Sequence, residues 1–452
     1  MRVFLQTLGC RLNYAEMAAL GRQLTGAGHE VASSVSEADL CILNSCAVTG
    51  EAARQSRQLA RQLARANPQA RLIVTGCYAT LEGEAVARLP NVTLVVGNDA
   101  KDGLLSLIEA SLIEAGQPGA EATSAEATSA EATSVAAPLP TTPERGAGGD
   151  ARRTRAFIKV QDGCRNRCTF CIVTVARGDE RSRTIDEVVA EVAALHAEGY
   201  QEAVLTGVHL GGYGSDLGGD LAQLVVALLE RTAMPRLRLS SIEPFDLQPD
   251  FFALWGQSDG RLMPHLHLPA QSGSDAILRR MARRNRVVDF EALVAAARAH
   301  IPGLVLTTDL IVGFPGEGEA EFAQTLAFAR RVRFAHMHVF PYSPREGTAA
   351  ANFEARVPED ERKRRVHTLV ALDAEIGTEV RRSFLGDTRP VLWEGRVAGR
   401  DPSQAAWWSG LTDNYLRVVA RAGARADLHN RIIPTRLTAL EGDAILGETD
   451  PL

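Results

Sequence analysis

Lysine is almost missing from this chain. Lys101, Lys159 and Lys363 are the only three, so 46 of the 49 basic residues are arginine. With arginine this abundant, short runs such as Arg152–Arg153–Arg155 and Arg279–Arg280 arise from composition alone and are discounted as phosphate sites. An excess of positive charge is missing too. The net charge of −6 excludes a protein that coats nucleic acid by bulk charge. No apolar run reaches the roughly eighteen residues of a membrane span, and the opening M-R-V-F-L-Q-T-L-G-C lacks the core of a signal peptide. The expectation is a soluble cytoplasmic protein with no membrane partner, and in that compartment cysteines serve as metal ligands rather than disulfides. What is present is ordinary: 452 residues, 45% hydrophobic and 23% charged, suit two or three globular domains.

One scarcity is local. Large apolar residues thin out between Gln117 and Asp150, where A-E-A-T-S runs three times from Ala120 to Ser134. Such a segment cannot build a core, and its Thr-Ser pairs weaken a helix through the Ala/Glu positions, so residues 113–151 read as a flexible linker. Before it, residues 1–112 alternate strand-like runs (Arg2–Gln6, Asp39–Leu43, Arg71–Val74, Thr93–Val96) with helix-like ones (Ala15–Gly26, Glu51–Ala66, Leu81–Arg88). This predicts a small open parallel α/β domain. After it, residues 152–382 repeat the alternation, with strands at Phe157–Val160, Ala203–Leu205, Arg236–Ser240, Leu266–Leu268, Val305–Leu310 and His336–Phe340. Helices such as Thr184–Ala197, capped by Thr184 with Glu187 three residues on, separate them. Six β/α units predict a (β/α)6 partial barrel, the doubly wound sheet being the alternative. Residues 383–448, with strands at Pro390–Val397, Tyr415–Ala420 and Arg431–Leu440, predict a small all-β module.

A fourth cysteine is absent where one is wanted. D-G-C-R-N-R-C-T-F-C places Cys164, Cys168 and Cys171 in one loop after the first strand of the barrel. A closed site takes four protein ligands, so three thiolates on a four-iron cluster leave one iron open to bind a small molecule. A zinc knuckle completed from elsewhere is the alternative; with no histidine in the loop, no zinc is expected. Cys10, Cys46 and Cys77 form a second trio, each just past the carboxyl end of a predicted strand, as T-L-G-C, N-S-C and T-G-C. In an open parallel sheet those ends face one crevice. Cys41 lies inside its strand among Leu40, Ile42 and Leu43 and reads as a buried structural thiol.

C-R-N-R-C-T-F-C resembles the signature of radical S-adenosylmethionine (SAM) enzymes, and the two trios together resemble the methylthiotransferases. Further matching segments are T-L-G-C-R-x-N, N-S-C-A-V-T, R-G-D-E-R-S-R at Arg177–Arg183, L-T-G-V-H-L at Leu205–Leu210 and S-S-I-E-P at Ser240–Pro244. H-L-P-A-Q-S-G-S-D, D-L-I-V-G-F-P-G-E and H-V-F-P-Y-S-P-R-E-G-T follow at His267–Asp275, Asp309–Glu317 and His338–Thr348. Thr174 stands where relatives commonly carry proline, and Ala270 where leucine is common; neither removes a ligand. The resemblance implies two [4Fe-4S] clusters and two SAM per turnover. One SAM, on the Cys164/Cys168/Cys171 cluster, yields a 5′-deoxyadenosyl radical. The other methylates sulfide on the Cys10/Cys46/Cys77 cluster. It further implies SAM contacts from Phe170, Gly207, Val208, Ser241, Glu243, Ile311 and Gly313. For G-F-P-G-E, a tight turn that needs its glycines weighs as much as ligand contact, and His265 and His267 receive no role.

The family divides by substrate. T-L-G-C-R-x-N, L-T-G-V-H-L-G-x-Y-G and H-V-F-P-Y-S-P-R-E-G-T-x-A-A are most similar to the branch that methylthiolates carbon 2 of N6-threonylcarbamoyladenosine at position 37 of tRNA. The alternatives are N6-isopentenyladenosine in tRNA, an aspartate of a ribosomal protein, and a non-catalytic iron–sulfur RNA-binding protein. The partners implied are tRNA and an electron donor such as flavodoxin or ferredoxin. G-L-T-D-N-Y at Gly410–Tyr415 resembles the start of a TRAM module, a small RNA-holding barrel. Within it Arg417, Arg421 and Tyr415, together with Arg389, Arg396, Arg431, Trp407 and Trp408, mix cations with aromatics suited to phosphates and bases, although both tryptophans also fit a core.

Overall fold

The computed structural model describes residues 1–115, 153–397, 406–423 and 426–449. The expected linker, 113–151, lies outside them apart from its first residues, which complete the helix Leu104–Ala115. The chain divides into two compact units, Met1–Leu8 with Met17–Ser45 and Gln55–Asp150, and Gly9–Glu16 with Cys46–Arg54 and Ala151–Leu452.

The first unit holds a parallel sheet of five strands: β1 (Arg2–Thr7), β2 (Glu30–Val31), β3 (Leu40–Ser45), β4 (Arg71–Gly76) and β5 (Val92–Val96), in the order β2-β1-β3-β4-β5. β3, L-C-I-L-N-S, is buried at every position, as a central parallel strand with both faces covered must be. Val3, Leu5, Leu20, Leu24, Ile42, Ile73 and Ile108 form its core. Cys41 is buried in β3, and burial pushes its thiol up to about 11. The helix expected over Leu81–Arg88 is instead two short ones, Cys77–Leu81 and Gly83–Ala87, interrupted at Glu82, whose backbone is neither helical nor extended.

In the second unit six parallel strands follow one another in sequence order. β6 (Arg155–Lys159), β9 (Glu202–Thr206) and β10 (Arg236–Leu239) form one sheet, and β11 (His265–His267), β12 (Val305–Val312) and β13 (His336–Pro341) another. Single bridges at Leu237/Leu262 and Ser241/His267 join β10 to the second set, so the six make an open barrel. A two-stranded ribbon, β7 (Gln161–Asp162) with β8 (Arg181–Ser182), brackets the cysteine loop. The helix Ile185–Ala197 carries the expected capping box, with the Glu187 N–H donating to Thr184 Oγ1 and the Thr184 N–H to Glu187 Oε2.

The C-terminal module is a closed barrel of five strands, β14 (Thr388–Arg396), β15 (Ala406–Thr412), β16 (Arg417–Ala422), β17 (Ile432–Glu441) and β18 (Ala444–Thr449). β15 and β18 were not expected. A-W-W-S-G-L-T and A-I-L-G-E-T are short and broken by glycine, so closure around the barrel is what extends them. The module seats on the amino-terminal side of the larger barrel. Arg236 donates to the Pro390 carbonyl (2.6 Å), Arg238 to that of Asp413 (3.0 Å), and Asn414 to that of Gly303 (3.0 Å). The long helix Glu359–Arg382 runs against β13.

Candidate active site

The loop after β6 is pinned at both ends. The Cys164 N–H donates to the Gly178 carbonyl and that of Thr169 to the Met281 carbonyl, both at 3.0 Å; the Cys171 N–H bonds Cys168 within the loop. All three thiols are partly exposed. Burial nevertheless raises Cys164 to about 11 and Cys171 to about 12, so without a metal they stay protonated. Hydrogen-bond donors already point at the sulfurs: the Asn166 N–H at Cys164 Sγ (3.4 Å) and Arg283 Nη1 at Cys168 Sγ (3.9 Å). Soft ligands faced by donors are what a metal-bound thiolate needs, and the residues present fit an iron–sulfur cluster.

The residues expected at SAM divide. Phe170 and Ile311 come together against one apolar cluster of Ile277, Met281, Phe314, Tyr342 and Ala350. Glu243 is held near Cys168 through Arg283, which grips both its oxygens at 2.9 and 2.5 Å. Ser241 bridges to His267. Gly207 and Val208 follow β9, and the next N–H, of His209, donates to Gln161 Oε1 at 2.8 Å. Gly313 has a positive φ of 70° and donates its N–H to Glu317 Oε1 at 2.9 Å. A Cβ there would overlap the Arg362 side chain, so the turn itself requires glycine.

Sequence reasoning assigned no role to Glu180, His209 and Asp246. His209 lies between two carboxylates, Nδ1 at 2.7 Å from Glu180 and Nε2 at 2.6 Å from Asp246. Burial disfavours its charge, but the two carboxylates outweigh burial and raise it to about 9. Cys164, Glu180 and His209 place their ligand atoms within 4.8 Å of one another. Each lies in a different quoted motif, D-G-C-R-N-R-C-T-F-C, R-G-D-E-R-S-R and L-T-G-V-H-L; only folding joins them.

The other cysteines follow neighbouring strands: Cys10 the turn after β1, Cys46 the end of β3 and Cys77 the end of β4. Gly9, at φ 112°, has no room for a side chain, because a Cβ would meet Cys46 Sγ at 3.0 Å. Cys10 Sγ donates to Asn13 Oδ1 (3.7 Å), and Asn13 accepts Arg177 Nη2 at 2.8 Å. Asn98 Nδ2 donates to Cys77 Sγ (3.7 Å), while Lys101, buried, donates to Asn44 Oδ1 (2.9 Å) and Asn98 Oδ1 (3.4 Å). Arg177 and Asn13 account for two motif residues, in R-G-D-E-R-S-R and C-R-x-N.

In the C-terminal barrel, Arg421 lies over the Trp407 ring and Arg396 over that of Trp408. Trp408 is core, 3% exposed. Arg417 is neutralised by Glu394 at 2.5 Å, and Arg389 by Asp413 at 2.8 Å. Tyr415 is half-buried, and its ring stacks on His265 of β11 with centroids 4.6 Å apart.

Two family models match the chain. One, described as uncharacterized protein family UPF0004, covers residues 2–97; the other, the radical SAM superfamily, covers 158–329. The threonylcarbamoyladenosine tRNA methylthiotransferase MtaB of Bacillus subtilis is 35% identical over 437 residues, 96% of this chain and 93% of that one. That of Thermotoga maritima is 36% identical, covering 87% of each. The tRNA-2-methylthio-N(6)-dimethylallyladenosine synthase of Geobacter metallireducens is 33% identical, covering 99% and 98%. Among solved structures, the radical SAM methyltransferase TsrM from Kitasatospora setae superposes with a TM-score of 0.54 at 16% identity, over 76% of this chain and 73% of that one, a likeness of fold. Among the described residues no helix is long and apolar enough to cross a membrane. With relatives this similar along nearly its whole length, a radical SAM barrel and a cysteine loop faced by donors, the chain belongs to the radical SAM methylthiotransferase family.

Proposed function

We propose that this enzyme methylthiolates carbon 2 of N6-threonylcarbamoyladenosine beside the anticodon of tRNA. Cys164, Cys168 and Cys171 hold one [4Fe-4S] cluster, and Cys10, Cys46 and Cys77 a second. When bound, these groups and two SAM supply the 5′-deoxyadenosyl radical and the methylated sulfur. The chain's own residues hold and orient. Arg283 places positive charge beside Cys168 and fixes Glu243. Phe170 and Ile311 offer the adenine an apolar wall, and Gly207, Val208, Ser241 and Gly313 line strand ends where such barrels bind ligands. A flavodoxin or ferredoxin supplies electrons. Arg421 on Trp407 offers a cation and a ring to tRNA.

The observation on which this rests most is Arg177, which spans from Asp162, two residues before Cys164, to Asn13, which meets the Cys10 thiol. One buried guanidinium thus serves both cysteine-bearing segments. Identity does not separate the two tRNA branches, since relatives of both lie between 33% and 36%. The motif wording favours the threonylcarbamoyl branch. Anaerobic reconstitution with iron and sulfide, then mass analysis of tRNA nucleosides after turnover, tests the proposal. The expected product is 2-methylthio-N6-threonylcarbamoyladenosine. A methylthio group found only on isopentenyladenosine would reassign the substrate, and none on RNA would exclude a tRNA substrate.

A further inference from the structure

The threonylcarbamoyl group ends in a carboxylate, and the isopentenyl group has no charge. A site that distinguishes them needs a cation that the protein itself leaves outside any ion pair. Most arginines deep in the second unit fail that condition. Arg177 is paired with Glu16 and Asp162, Arg155 with Glu394, and Arg236 and Arg238 with Glu202.

Arg11 meets it. Among the described residues its guanidinium reaches one oxygen, Tyr415 Oη at 2.9 Å, and no carboxylate within ion-pair distance. It directly follows Cys10 in the chain, so its backbone lies within one residue of a proposed ligand of the second cluster. Its head is gathered with two other guanidinium groups around the Tyr415 ring, Arg11 at 5.5 Å, Arg155 at 5.8 Å and Arg238 at 4.8 Å from the centroid. Arg155 and Arg238 are already paired with Glu394 and Glu202, and Arg11 is the member of the three with no ion pair among the described residues. Burial alone would raise the Tyr415 hydroxyl, yet the three arginines lower it.

A second observation points to a polar ligand at this place. His265, 1% exposed and stacked on Tyr415, donates or accepts through Nε2 at Thr307 Oγ1 (3.1 Å), while its Nδ1 has no partner among the described residues. Burial would raise Asp309, the nearby acid on β12, but His267 at 3.3 Å lowers it, with a smaller contribution from Arg11, which forms no ion pair with it. A buried ring nitrogen without a partner is costly unless a ligand satisfies it.

We propose that Arg11 is the specificity-determining residue that reads the carboxylate of the substrate's N6 substituent, with Tyr415 holding its guanidinium in place. The inference rests on the threonylcarbamoyl reading above. A guanidinium is charged at every working pH and matches a carboxylate with two parallel hydrogen bonds, which an ammonium does not.

The test uses the full reconstituted chain and three anticodon stem-loops, carrying N6-threonylcarbamoyladenosine, its uncharged methyl ester, or N6-isopentenyladenosine. Dissociation constants are read by fluorescence anisotropy. The wild type is expected to bind the acid at least about tenfold more tightly than the ester. Arg11→Gln should erase that preference, Arg11→Lys should keep part of it, and Tyr415→Phe, which keeps the ring but frees Arg11, should weaken it. An undiminished acid-over-ester preference in Arg11→Gln overturns the assignment. If that variant loses iron or fails to fold, Tyr415→Phe decides, and a full preference there has the same force. Failure of the substrate reading itself looks different: the wild type would then produce no methylthio nucleoside from the threonylcarbamoyl stem-loop.

Discussion

Arg177 Nη2 donates to Asn13 Oδ1 at 2.8 Å, and its Nη1 lies 2.9 Å from Asp162 and 3.0 Å from Glu16; Arg177, Asn13 and Asp162 are buried and Glu16 is half-buried. Removing the guanidinium strands two carboxylates, though Lys159 stays 3.1 Å from Asp162 and softens the loss. Arg177→Leu is therefore expected to cost about 3 kcal/mol, the lower end for a broken buried pair. Urea unfolding of the full chain measures it. A loss below about 1 kcal/mol would remove Arg177 as the tie between the two segments.

Replacing Cys164, Cys168 and Cys171 together by alanine should leave about half of the reconstituted iron and abolish SAM cleavage, because one of two clusters survives. Iron assay and 5′-deoxyadenosine release give the answer. Complete loss of iron, or surviving cleavage, would contradict two separate sites.

Lys101 is one of three lysines in an arginine-rich chain, and it is buried where a compact ammonium meets Asn44 and Asn98. Lys101→Met removes one donor from each amide oxygen and loosens the hold on the Asn98 amide that faces Cys77. Made in the background lacking Cys164, Cys168 and Cys171, it is expected to lower the remaining iron by about half or more. Unchanged iron there would show that Lys101 does not support Cys77.

Glu202 and Arg238 pair at 2.6 Å with both side chains fully buried. Burial opposes the Glu202 charge, but Arg238, together with Arg155 and Arg236, outweighs it and lowers the group from 4.5 to about 2. A carboxylate with a depressed folded value stabilises above its unfolded value and loses that contribution as pH falls through the folded one. The pair should therefore contribute on the order of 3 kcal/mol near neutrality, lost progressively between about pH 4.5 and pH 2. Glu202→Gln should flatten that part of the stability–pH curve; an equally steep acid limb would assign it elsewhere.

For tRNA capture, removing the whole C-terminal module is a poor probe, because Arg236 and Arg238 donate into it from the larger barrel. Arg421→Gln is cleaner. It should weaken tRNA binding and reduce the slope of log K against log salt by about 1, the loss of one phosphate contact. The same slope in the variant would place the contact on another surface.

Much of this molecule could be read without folding it. Residue type, spacing and strand-end position are local: C-x3-C-x2-C, T-L-G-C, N-S-C and T-G-C mark the candidate cysteines, and alternating strand and helix runs mark the parallel sheet and the six-unit barrel. The short strands β15 and β18 escaped because local propensity is weak there and barrel closure supplies the pairing. Side-chain partnership was likewise out of reach. Nothing in G-L-T-D-N-Y tells that Tyr415 stacks on His265 and accepts from Arg11, 404 positions away. Nor does abundance of arginine tell which of them lack a carboxylate partner, as Arg11 and Arg261 do among the described residues. Charge compensation depends on distances of a few ångströms between residues remote in sequence, because a Coulomb interaction falls with separation and desolvation depends on what is packed around the pair. The sequence by itself determined the chemistry this chain can attempt; tertiary structure alone decided which of its many arginines are paired with carboxylates and which, Arg11 among them, are not.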